Sequence, residues 1–200
     1  MPHLLSVAGI GQFFKRLGNG IAGDSGLRPG HIHYNTTEAA SSVQDLTIAS
    51  GFNGDQKEIW AFDFRIINPT GSDANYHLSI NGLYGQATMR TQLLFVLGAS
   101  VSAVMTANAL ILASAKANKQ VEGWAMMETH SHPNVSLKHL FSHTTMEYAA
   151  PDYVAIADRG GIYNNNTLII TSFGIHASVA GAIGTGSKFS TYYRNWYAVP

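Results

Sequence analysis

The chain has 200 residues, enough to bury the core of one domain, yet only 12% of them are charged, about half the usual share. Twelve basic and twelve acidic residues cancel, and no basic tail is present, which argues against a protein that grips nucleic acid by its phosphates. Cysteine is absent, so disulfides and thiolate chemistry are excluded.

Residues 3–17, "HLLSVAGIGQFFKRL", predict a short amphipathic helix with Leu4, Val7, Ile10, Phe14 and Leu17 along one side. Lys15 and Arg16 follow the apolar run instead of preceding it, so the segment does not read as a secretory signal. From Gly18 to about Ser50 the chain is small, polar and rich in glycine. Two readings stand for this stretch: an extended N-terminal arm over residues 1–50, or a loop folded against the body of the same subunit. Within it, "GNGIAGDSG" follows no strand and is not a phosphate loop, while His31 and His33 would share one face of an edge strand.

The body, residues 51–200, turns to strand patterns. In "EIWAFDFRII", Trp60, Phe62, Phe64 and Ile66 alternate with Ala61, Asp63 and Arg65, as in a half-buried strand. "NYHLSINGL" repeats the alternation with Tyr76, Leu78 and Ile80, and the turn residues "NPTG" between the two runs predict an antiparallel pair. The uncharged window from Thr91 to Ala115 is long enough to span a bilayer, but Gly98 and six polar residues dilute it. Two buried strands, "TQLLFVLG" and "ANALILASA", joined by a turn, account for it better. "QVEGWAMME", two strands within residues 151–179 separated by Gly160-Gly161 and Asn164-Asn165-Asn166, and the aromatic end "KFSTYYRNWYAVP" complete eight or so strands. The expected fold is an all-β antiparallel sandwich, with helices only at the N-terminus and near residues 136–147.

Four of the nine histidines fall in "ETHSHPNVSLKHLFSHTTMEY". His130 and His132 share a face if extended, and on a helix from Ser136 the residues His139, His143 and Glu147 would share another. At "HSHP" the chain is similar to the JAMM metallopeptidases, a likeness that extends weakly to Gly123-Trp124 and to "FSHTTMEYAAPDYVAIAD". That resemblance implies zinc on His130 and His132, with Glu58 or Glu122 activating water. The family's third ligand, an Asp, would fall at Thr145, and its Ser would be Ser142, so His143 or Glu147 would have to complete the set. The expectation is therefore no metal, no cofactor and no enzymatic activity.

In overall pattern the chain resembles single-jelly-roll coat or decoration proteins of virus and phage particles: low charge, no cysteine, a glycine-rich arm, then alternating strands. The resemblance implies a shell subunit of a virion that assembles with itself and other shell proteins, without direct contact to nucleic acid. The apolar face of the N-terminal helix would bury against a neighbouring subunit, contact with lipid being the less favoured alternative. A metal-dependent hydrolase and a carbohydrate- or receptor-binding sandwich, using exposed Trp and Tyr, are the competing functional classes.

Overall fold

The computed structural model describes residues 32–49, 59–97, 100–129, 137–147, 154–164 and 170–194. They form twelve strands and no helix: β1 (Ile32–Glu38), β2 (Asp45–Ala49), β3 (Ile59–Ile67), β4 (Ala74–Ile80), β5 (Met89–Leu97), β6 (Ser100–Ala107), β7 (Ile111–Ala115), β8 (Gln120–Glu128), β9 (Leu137–Glu147), β10 (Val154–Asn164), β11 (Ser172–Ala177) and β12 (Lys188–Arg194). All pairings are antiparallel. They build an eight-stranded sheet in the order β1-β12-β3-β8-β9-β10-β5-β6 and a four-stranded sheet in the order β2-β11-β4-β7.

The pairing is nested. Strand β1 pairs with β12, β2 with β11, β3 with β8 and β4 with β7, so the chain runs as one long hairpin. Successive rungs fall alternately in the larger and the smaller sheet. Two further hairpins, β5–β6 and β9–β10, are inserted between these rungs, and both extend the larger sheet on the same side.

The core lies between the sheets, and aromatic residues join them. Trp60, Phe62, Phe64 and Ile66 are all buried, as the alternation of β3 predicts. Phe173 of the smaller sheet meets Trp60 and Phe62 edge to face at 5.4 and 4.9 Å, while Phe189 of β12 stacks on Phe62. Tyr76, Leu78 and Ile80 of β4 are likewise buried, and the Tyr76 hydroxyl donates to the Ala182 carbonyl.

Several sequence expectations are corrected. Strands β3 and β4 do not pair: they lie in different sheets, and the "NPTG" turn carries the chain across the sandwich. Buried Asn68 fixes that crossing by donating to the carbonyls of Ser72 and Lys116 while accepting from Thr70. The Thr91–Ala115 window holds β5, β6 and β7 where two strands were expected, and no described helix is long and apolar enough to cross a membrane. Residues 137–147 are strand β9, not a helix, because they pair along their whole length with β10 and also with β8. Strand β10 runs straight through Gly160-Gly161; at Gly161 an added Cβ would meet Leu110 Cδ2 at 2.9 Å, so the glycine admits a core leucine. Residues 32–49, placed in the arm by sequence, contribute β1 and β2 to the two sheets. Leu4, Val7, Ile10, Phe14 and Leu17 lie outside the described residues.

Candidate functional sites on the two sheets

The outward face of the larger sheet carries most of the polar groups singled out by sequence. Strand β9 still puts His139, His143 and Glu147 on one face, since a spacing of four is even in a strand as well. Extended backbone, however, separates neighbours in this series by about 13 Å, roughly twice the helical distance, too far to share one ion. Each group has its own partner. His139 Nδ1 lies 3.6 Å from Glu128, His143 Nδ1 is 2.6 Å from Asp158 Oδ1, and Glu147 accepts from Gln120 with Lys119 nearby.

Ser142 and Glu122, two other members of the JAMM-like set, are each held by a partner of their own. Ser142 points to the opposite face, where its buried hydroxyl donates to the Leu112 carbonyl. Glu122 sits against Arg65 at 3.3 Å. Glu58, His130 and His132 lie outside the described residues. Among the described residues, no three His, Asp or Glu side chains converge as metal ligands would.

Of these, His143 and Glu122 border a shallow groove of about 640 Å³ on the outer face, lined also by Asp63, Arg65, Trp124 and Tyr192. Trp124 is flanked by Phe141 and His143, with ring centres 5.4 and 6.0 Å away. The groove joins acidic, basic and aromatic side chains.

Beyond the groove the larger sheet becomes apolar. The four-stranded sheet ends at β7, which packs on β8, β9 and β10, whereas the eight-stranded sheet continues through β5 to β6. Strand β6 therefore has little to cover it, and all its residues are exposed except partly buried Thr106. Val101, Val104 and Met105 are 66%, 54% and 75% exposed, and Leu94, Phe141, Ile156 and Ile162 are also exposed large hydrophobics on this sheet. Sequence reading missed this surface because it assigned residues 100–107 to a turn and the start of a buried strand.

A second cluster that sequence missed lies on the smaller sheet. His77 of β4 faces His176 of β11 across the ladder, with ring centres 6.2 Å apart. His176 Nδ1 is 2.7 Å from Asp45 Oδ1, and the Tyr84 ring stacks on His176 at 3.5 Å. Burial foremost, and repulsion from His176 next, hold the His77 pKa below its ordinary value. These residues are distant in sequence, and only the outward register of His77 in "NYHLSI" hinted at them.

No family model matches the chain, and no curated protein or solved structure matches it either.

Proposed function

We propose that the chain is a structural subunit of a virus or phage shell, a coat or decoration protein, built on a jelly roll and assembling with copies of itself. The nested hairpin, with rungs alternating between two sheets, supports the jelly-roll reading of the frame. The observation that carries the assembly reading is β6. An edge strand offers unpaired N–H and C=O groups to any second strand, and monomeric proteins blunt such edges with lysine, proline, bulges or brevity. Strand β6, "SVSAVMTA", has eight residues, no charge and no proline, and among the described residues it pairs with β5 alone. Burying Val101, Val104 and Met105 against a neighbour would cost little desolvation, since no ion must be stripped of water.

The test is to place lysine at both Val104 and Met105 and follow size by sedimentation velocity and electron microscopy. Wild type should form large assemblies, while the double variant should remain a small species with unchanged circular dichroism. A wild-type protein that stays monomeric at tens of micromolar (about the range where transient contacts begin) would sink the reading. So would a variant that assembles like wild type.

A second reading, a sandwich that binds carbohydrate or a receptor, is favoured by the groove around half-buried Trp124. It needs no assembly, and the same sedimentation experiment separates the two.

A further inference from the structure

The overhang of the larger sheet does more than expose an edge. Between its inner face and the end of the smaller sheet lies a recess of about 430 Å³. Leu93, Phe95 and Met146 supply apolar wall, Ser102 and Ser114 supply hydroxyls, and Asp73 bound to Lys116 at 2.6 Å lies among the exposed lining groups. One further lining residue is Arg159, which is only 2% exposed.

The partners of Arg159 are unusual for a buried cation. Its Nη1 donates to Thr144 Oγ1 at 2.8 Å and, less closely, to the Leu112 carbonyl at 3.4 Å, while Nη2 donates to Ser114 Oγ at 3.3 Å. All three acceptors are neutral. Among the described residues no carboxylate forms an ion pair with it. Asp158, next to it in the chain, points to the opposite face and is engaged by His143. Burial lowers the Arg159 pKa to about 10 even with the attraction of Asp158. A guanidinium has five N–H groups, and a desolvated one without a counter-ion is costly to hold.

A buried cation for which the described residues supply no anion, set beside an apolar recess of ligand size, describes one class of guest. We propose that the recess binds a small organic monoanion, a carboxylate or sulfonate on an apolar body. The anionic group meets Arg159 and Ser114, and the body lies on Leu93, Phe95 and Met146. The bonds from Arg159 to Leu112 and Ser114 also tie β10 to β7 across the sandwich. A readout that this structural tie would not move is therefore required.

That readout is a pair of fluorescent probes added to the full chain: anilinonaphthalene sulfonate, which carries the anion, and N-phenyl-1-naphthylamine, which has the same rings without it. Wild type should bind the sulfonate saturably at one per chain. Arg159→Met should weaken the sulfonate by about tenfold or more, the loss expected for a charge-assisted contact, and leave the neutral amine unchanged. A parallel fall for both probes, or a change in neither, overturns the proposal. Should Arg159→Met fail to fold by near-ultraviolet circular dichroism, Ser102→Trp takes its place. It fills the recess from exposed β6 and should abolish the one-per-chain site in a folded protein. Undiminished sulfonate binding by folded Ser102→Trp overturns the proposal equally.

Discussion

His77 shows how a single residue ties stability to pH. Its Nδ1 is buried and among the described residues has no hydrogen-bond partner, and the described groups facing it include His176, itself held by Asp45, and the Tyr84 ring. With its pKa held below the ordinary 6.5, the folded protein takes up this proton later than the unfolded chain does. The contribution is full above pH 6.5, declines as pH falls below that value, and levels off once the folded form also protonates. Urea unfolding should therefore show lower stability at about pH 5.5 than at about pH 7.5, and His77→Gln should lose less over that interval. An identical loss in variant and wild type would mean that other groups set the slope. The histidine-rich stretch near 130–143 drew attention in the sequence because its members are neighbours in the chain, whereas His77 and His176 meet only through the ladder between β4 and β11. Single-residue chemistry of this kind is invisible until strands are paired.

At the level of elements, legibility followed the chemistry of the inward face. Strand β3 was readable because its inward residues are all large and apolar. Strand β9 was not, because on its inward face only Leu140 and Met146 are apolar, while Lys138, Ser142 and Thr144 are buried there too. Those buried hydroxyls are satisfied from other strands, Ser142 by Leu112 and Thr144 by Ala157 and Arg159, so a polar inward face is stable here while erasing the period of two. Strand β6 lacked the signal for the opposite reason, having almost no buried face at all. The turn at Asn68 was legible as a turn, but turn chemistry does not say whether the next strand stays in the sheet or crosses to the other. The register of β3 gives a direct check. Phe62→Ala removes a ring packed on Phe173 and Phe189 and should cost about 3–5 kcal/mol. Asp63→Ala, on the groove side, should cost far less. Equal losses in denaturant midpoint at the two positions would show that the inward and outward faces are wrongly assigned.

For the whole molecule, the two ends of the larger sheet differ in kind. One edge is β1, where the described chain begins at Ile32; the other is β6, seven strand spacings or about 34 Å away. The proposed arm, which precedes β1 in the chain, and an apolar strand at the opposite edge would favour head-to-tail contacts, which close into rings or extend into open filaments. Low charge and an expected apolar stripe of Leu4, Val7, Ile10, Phe14 and Leu17 are legible in the sequence, whereas β6 is not, because its exposure depends on where the smaller sheet stops. The stripe would be costly to leave in water, at roughly 25 cal/mol per Å², and a neighbouring subunit is the surface proposed to cover it. Deleting residues 1–30 stops short of β1, so none of the twelve strands is shortened. The truncated chain should therefore keep the far-ultraviolet spectrum of a β protein and unfold cooperatively, yet fail to reach the size of wild-type assemblies in sedimentation. Limited proteolysis should cut unassembled full-length protein first within residues 1–30 and leave that segment intact in assemblies. If the truncated chain does not fold, the segment belongs to the core of its own subunit. If it assembles as wild type does while the Val104 and Met105 lysine variant does not, β6 alone carries the contact and the arm has no part in it.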